Sequence, residues 1–243
     1  MNINEIEKSL RDNTRHEYRL GDYIKQMMSG VSNKNEELRP QLRSLRDKHN
    51  GTMGDDLLSY VQSKNIKGTK NVRQAILNFF RNAAKSIADP PYMTIHLRLG
   101  DVLDPIGGIK SRGEVHGYLT PLSIYSDMIQ DLKKLNPDHH IEIQTGIHKF
   151  GATATAKYLY ELNELLDNNG LKPTVNITDP DTAFLRLISS KTLIYCKGGY
   201  SQIAAVICQE MGGDVLYAED LDKRNHFPYA GDISIFDCPH LYK

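Results

Sequence analysis

From residue 92 onward, five short β-prone runs alternate with longer helical patterns: "YMTIHLRL" (92–99), "HIEIQT" (140–145), "PTVNIT" (173–178), "TLIYCKG" (192–198) and "DVLYAED" (214–220). The helical stretches between them fall near 121–135, 152–168, 182–190 and 200–211. Antiparallel neighbours can be joined by a two-residue turn, whereas parallel neighbours need a crossover of a dozen or more residues, usually a helix. None of the gaps here is of hairpin length. The alternation therefore predicts βαβ crossovers and a parallel sheet with helices on both faces.

The expected fold class is α/β, a Rossmann-like doubly wound parallel sheet occupying 89–243. Residues 1–88 read differently. "NEIEKSLRDN", "EELRPQLRSLRDKH", "DDLLSYVQSK" and "NVRQAILNFFRNAAKSI" space their apolar residues as helices do, with Ile76, Phe79, Phe80 and Ala83 marking one face of the last. This half is expected to be a mostly helical N-terminal extension.

Charge narrows the range of partners. Lys plus Arg and Asp plus Glu each total 30, so the formal net charge is zero, with no global basic field to attract nucleic acid. Cys196, Cys208 and Cys238 are too few and too scattered for a disulfide framework or a zinc site, and the first two fall in apolar runs that suit buried free thiols. The start, "MNINEIEKSLRDNTRHEYRL", has the pattern of neither a signal nor a transit peptide. No apolar run reaches the ~20 residues of a membrane-spanning helix. These features lead us to expect a soluble protein in a reducing, cytoplasmic setting.

In doubly wound sheets, ligands bind beyond the carboxyl ends of the strands, where strand order reverses. "IHLRLGDV" (95–102) puts His96, Arg98, Gly100 and Asp101 at such an end. A guanidinium there has a planar fork of donors suited to phosphate, and it stays charged at any relevant pH. His96 shares the side-chain parity of Arg98, and Asp101 could orient the arginine or accept from a sugar hydroxyl. The same residues would also suit the solvent face of an edge strand, or an ion pair closing it.

A second stretch, "YCKGGYSQIAAVICQEMGG" (195–213), reads as strand, turn and helix. Gly198 and Gly199 would let an anion approach the backbone, and the helix opening at Tyr200 and Ser201 offers free N–H groups and a positive dipole end. It is not the dinucleotide fingerprint, because Gly-x-Gly-x-x-Gly is absent. A tight turn with Ser201 as an ordinary cap is the alternative. Gly146 and His148, in "TGIHKFG" after the second strand, line the same crevice or a plain surface loop. "TDPDTAF" (178–184) holds Asp179-Pro180-Asp181, read as a helix start with Asp181 as N-cap, or as an Asp-x-Asp metal motif. "YRLGDYI" (18–24) places Asp22 after Gly21, either as a cap or in a loop near a ligand. The Gly-rich run 104–120, with Lys110, Arg112, Glu114 and His116, has the length of a functional loop.

With these residues assembled, the chain resembles the fucosyltransferase-like superfamily of GT-B glycosyltransferases. The matching motifs are His-x-Arg followed by Gly-Asp at His96, Arg98, Gly100 and Asp101, and a strand-turn-helix at Gly198-Gly199-Tyr200-Ser201, where that family commonly has Ser-Ser-Phe-Ser. A closer pattern is found in uncharacterised proteins of large DNA viruses and algae that join "YRLGD", "HLRLGDV", a Gly-x-His loop and a "GGxS" turn. If the chain is viral, the cytoplasm would be that of its host. The resemblance covers roughly 92–220 and implies a nucleotide-sugar donor as substrate, GDP-fucose being one form, with a glycan or protein acceptor and neither cofactor nor metal. It gives Arg98 the donor diphosphate. Asp22, Asp101 and Glu114 compete for the role of general base, and no spacing selects one. Only about 90 residues precede His96, where a GT-B enzyme usually has a whole acceptor domain. A nucleotide-sugar-binding protein without turnover and a phosphate-ester enzyme on the same fold therefore stand beside the transferase.

Overall fold

The computed structural model describes residues 2–12, 53–64, 69–100, 103, 119–146, 151–196 and 199–217. Among the described residues, three helices come first: α1 (Ile3–Asp12), α2 (Met53–Ser63) and α3 (Thr69–Ala84). Then β1 (Met93–His96), α4 (Leu122–Leu135), β2 (His140–Gln144), α5 (Ala152–Asn168), β3 (Lys172–Asn176), α6 (Pro180–Ile188), β4 (Thr192–Tyr195), α7 (Gly199–Glu210) and β5 (Asp214–Tyr217) alternate as the sequence pattern requires.

The five strands form one sheet in the order β3-β2-β1-β4-β5, and every pairing is parallel. This is the α/β, doubly wound arrangement expected from the alternation. β1 is the central strand, so placing His96 and Arg98 on an exposed edge strand is incorrect. Pairing on both sides forces the exit of β1 into the middle of the molecule.

Strand parity sorts the side chains into two cores. Met93 and Ile95 of β1, Ile141 and Ile143 of β2, Ile194 of β4 and Leu216 of β5 point to the face covered by α4 and α5, with Ile6 and Leu10 of α1 in the same cluster. Leu193 and Tyr195 of β4 and Val215 of β5 point to the other face, under α2, α3, α6 and α7. The chain therefore winds outward from β1 through α4 and α5 on one side. It then returns through α6 and α7 on the other, and the winding reverses between β1 and β4. Ridge positions of α3 bury Val72, Ile76 and Phe80 completely or nearly so, while Phe79 is only partly covered and Ala83 half-exposed.

Two boundaries differ from the sequence expectation. The ladder of β1 ends at His96 rather than running to Leu99, although Leu97 N–H still donates to Gln144 O at 3.0 Å. α6 starts two residues early. Asp179, not Asp181, is its N-cap: Asp179 Oδ1 accepts from the N–H groups of Asp181 (3.1 Å) and Thr182 (2.9 Å), and Pro180 takes the first helical position, where its missing N–H costs nothing. Asp181 instead accepts from Met53 N–H at 3.2 Å and ties α6 to the start of α2. No helix among the described residues is long and apolar enough to cross a membrane.

Candidate functional site at the strand-order reversal

The reversal between β1 and β4 opens at their carboxyl ends, and three elements meet there: the segment Leu97–Gly100 leaving β1, Cys196 leaving β4, and the first turn of α7. Each is held for an identifiable reason. Leu97 and Leu99 are buried at 3% and 2% exposure among the apolar residues under α4 and α5, and strand-like alternation turns Arg98 to the opposite side. Thr145 Oγ1 donates to Leu97 O at 3.1 Å, and Gly100 N–H donates to Thr155 Oγ1 of α5 at 3.0 Å. Arg98 N–H donates to the Cys196 sulfur at 3.1 Å, which fastens the exit of β1 to the exit of β4.

His96 and Ser201, 105 residues apart, are brought together: Nδ1 and Oγ lie 2.5 Å from each other. The Cys196 sulfur stands 3.4 Å from the same hydroxyl and 3.8 Å from the same ring nitrogen, and all three side chains converge under the first turn of α7. Ser201 is 1% exposed, so its hydroxyl is turned inward to His96 rather than outward to a ligand. Tyr200 forms a wall beside them. Its ring centroid lies 5.4 Å from both His96 and Phe184, and its hydroxyl donates to Pro180 O at 2.7 Å, locking α7 onto the start of α6.

Of the residues expected at the site, His96, Arg98, Tyr200 and Ser201 are thus assembled, with Gly199 opening α7 above them. Gly100 sits four residues beyond the end of β1, with φ +80° and its N–H on Thr155, and Gly146 follows β2 at the same edge of the sheet, exposed. Asp22, Asp101, His148 and Gly198 lie outside the described residues, as does most of the 104–120 loop. Cys196 was read from the sequence only as a buried thiol. It is buried and free, but its sulfur also joins the exits of the two strands at the reversal. Its position directly after β4 was the available signal. Among the described residues, no group of three His, Cys, Asp or Glu side chains converges as a metal ion would need.

The electrostatics favour an anion over a second cation. Burial, followed by the nearby charge of Arg98, lowers the His96 pKa from 6.5 to about 4, so the imidazole is neutral at pH 7. Burial raises the Cys196 thiol, which stays protonated. Among the described residues, the positive charge at the reversal is therefore that of Arg98 and the amino end of the 12-residue α7.

The His96 shift also predicts a pH dependence. A histidine whose folded-state pKa is depressed leaves the unfolded chain binding more protons, so stability is complete above about 6.5 and falls as pH drops toward about 4. The full loss amounts to about 3–4 kcal/mol. Glu142, whose pKa lies below its usual 4.5, starts to contribute only below that value, so of these two groups it is His96 that acts between 4.5 and 6.5. Urea unfolding of His96→Asn should lose the slope in that interval while keeping the more acidic decline. An unchanged slope would show that another group carries it.

Comparison of the chain with models of protein families, with curated proteins and with solved structures finds no match in any of the three. Function has to be read from the chemistry of the reversal itself.

Proposed function

We propose that the chain binds the diphosphate of a nucleotide-activated sugar at the reversal between β1 and β4, and acts as a metal-independent, inverting glycosyltransferase of the fucosyltransferase-like kind. The observation that supports this reading most is that Arg98, bonded through its backbone N–H to Cys196, and the first turn of α7, bonded through Ser201 to His96 and Cys196, share the carboxyl edge of the sheet. Helix amino ends and arginine forks are both suited to phosphate oxygens. The neutral, Ser201-bonded His96 adds no second cation to Arg98 among the described residues there.

In such a transfer an acceptor oxygen bonds to the anomeric carbon from the face opposite the leaving group. The bond from that carbon to the diphosphate breaks, and the acceptor's proton passes to a base. Negative charge grows on the diphosphate as the bond breaks, and Arg98 with the N–H groups of α7 would stabilise it more in the transition state than in the ground state. Asp22, Asp101 and Glu114 are the proposed sources of the base. The acceptor is a glycan or protein hydroxyl.

Arg98→Lys provides the test. Lysine keeps the charge and most of the stem but loses the fork. Calorimetry with GDP should show affinity falling by about 1.5–3 kcal/mol, the range for a hydrogen bond to a charged group, or roughly 10- to 150-fold. Guanosine binding should change little. Equal losses for guanosine and GDP would mean that Arg98 shapes the pocket, and unchanged binding of both would remove it from the site.

The burial of the Ser201 hydroxyl against His96 favours a second reading, binding without turnover, because it turns that pair inward, away from a bound acceptor. Release of free sugar or GDP from GDP-fucose, with and without candidate acceptors, separates the two readings. Turnover that disappears in Arg98→Lys supports transfer, and tight binding without product supports the second.

A further inference from the structure

The sheet face that carries His96 is polar along the carboxyl halves of β2 and β3. In register, His96 lies beside Gln144 and Gln144 beside Asn176, while Thr94 lies beside Glu142 and Glu142 beside Thr174. Glu142 and Gln144 are nonetheless 2% and 0% exposed. The Glu142 carboxylate accepts from Arg186 Nε at 2.7 Å, from Gln144 Nε2 at 2.6 Å and from the Asn176 side chain.

That arrangement fixes how the Gln144 amide is turned. Oxygen and nitrogen of a side-chain amide are often interchangeable, but an ionised carboxylate can only accept, so the nitrogen must face Glu142. Oε1 is thereby turned away from Glu142, and it is a buried acceptor with no hydrogen-bond partner among the described residues. On this face the next position toward the carboxyl edge is Gly146, where an added Cβ would meet no described atom within 4 Å. Two other buried oxygens without a partner among the described residues lie along the same edge: Thr178 Oγ1, just past β3, and Gln202 Oε1, in the first turn of α7. Buried polar atoms are nearly always paired in folded proteins, so an orphaned acceptor beside space that no described atom fills points to a ligand.

We propose that Gln144 is a specificity-determining residue whose Oε1 accepts a hydrogen bond from a hydroxyl of the bound nucleotide, on its ribose or on the sugar it carries. This rests on the nucleotide reading above and names the part of the ligand that is recognised beside the phosphates. The Arg186–Glu142 pair is the positioning device. It holds the amide so that the ligand meets an acceptor, and a ligand lacking that hydroxyl would leave Oε1 buried and unpaired.

The experiment is calorimetry of wild type, Gln144→Met and Arg98→Lys with GDP, 2′-deoxy-GDP, 3′-deoxy-GDP, GDP-fucose and inorganic pyrophosphate. Gln144→Met is expected to weaken GDP or GDP-fucose about 10- to 100-fold and to leave pyrophosphate within about twofold. In wild type, deleting the hydroxyl that is read should cost a similar factor, and in Gln144→Met it should cost nothing, closing a double-mutant cycle. A loss shared by GDP and one deoxy analogue assigns the ribose, and a loss confined to GDP-fucose assigns the transferred sugar. Equal weakening of pyrophosphate and GDP by Gln144→Met would overturn the proposal in favour of a structural role. A Gln144→Met effect on GDP that depends on no hydroxyl would overturn it as well. If Gln144→Met does not fold, the analogue series on wild type still decides: affinities unaffected by every hydroxyl deletion and by the sugar reject the proposal. Failure of the underlying reading looks different, because pyrophosphate and GDP would then bind wild type and Arg98→Lys alike, or not at all.

Discussion

Arg186→Met is expected to lower the unfolding free energy at pH 7 by about 3–5 kcal/mol, the cost of removing one partner from a buried ion pair. The other partner sets that cost. The Glu142 side chain is only 3% exposed, and that of Arg186 22%, so water can do little to replace the lost guanidinium. Burial alone pushes the Glu142 carboxyl up, while hydrogen bonds from Arg186, Gln144 and Asn176 together with the arginine's charge bring it below its usual value. Without the arginine, two neutral amides remain against the full desolvation cost, and the carboxyl's folded-state pKa rises above that of the unfolded chain. The sign of the pH dependence then reverses. In wild type, Glu142 contributes stability that is present above about 4.5 and lost as pH falls through its folded-state value. In Arg186→Met, the destabilisation is greatest at neutral pH and eases on acidification, as the buried carboxyl takes up a proton. Urea unfolding at pH 7 and pH 5 reads both effects. Arg186→Met with Glu142→Leu should recover only part of the loss, because Gln144 and Asn176 then keep amides with no carboxylate to face. A cost under about 1 kcal/mol for the single variant would place the pair among screened surface bridges instead.

That pair marks the limit of what was legible in the sequence. The alternation of runs was enough for the parallel sheet, because crossover length leaves a strand few options. It also located α4, expected near 121–135 and found at Leu122–Leu135, and α5, expected at 152–168 and found at Ala152–Asn168. His96, Arg98 and Ser201 could be placed together because carboxyl ends of parallel strands share an edge whatever the distance along the chain. Glu142 and Gln144 were passed over because "HIEIQ" alternates apolar and polar residues, as a half-exposed strand does. A strand inside a parallel sheet is normally apolar on both faces, so its polar members were the anomaly to notice. Arg186, the partner of Glu142, lies 44 residues away on α6, and no local pattern links the two. The inward turn of Ser201 was equally hidden, since a serine in the first turn of a helix reads as an exposed cap until the central position of β1 brings His96 beneath it.

Gly151→Ala should prove nearly as costly as the broken ion pair, and it should damage the site as well as the fold. Gly151 is the N-cap of α5 and has φ +81°, a left-handed conformation that costs an ordinary L-residue roughly 1–2 kcal/mol. A Cβ there would also lie 2.4 Å from Gly100 O and 2.9 Å from Gly100 C, both backbone atoms with no side-chain rotation to relieve the contact. Overpacking of this kind adds about 1–3 kcal/mol, for a total of about 2–5 kcal/mol. The backbone that must retreat is the segment that carries Arg98. Its end is held by Gly100 N–H on Thr155 Oγ1 and by Gly100 O, which accepts from Leu103 N–H at 2.9 Å. Relief of the clash therefore displaces the segment that carries Arg98 rather than being absorbed at the surface. Gly170→Ala is the control. It also sits at positive φ, +76°, but its added Cβ would meet no described atom within 4 Å, so it should cost only the conformational share and leave GDP affinity unchanged. Thermal unfolding and GDP calorimetry on the two variants separate the effects. Loss of GDP affinity in Gly151→Ala alone, measured where that variant is still folded, would show that the Gly100 contact positions Arg98. Equal stability losses in both variants, with affinity intact, would show that the two backbones can part without disturbing the reversal between β1 and β4.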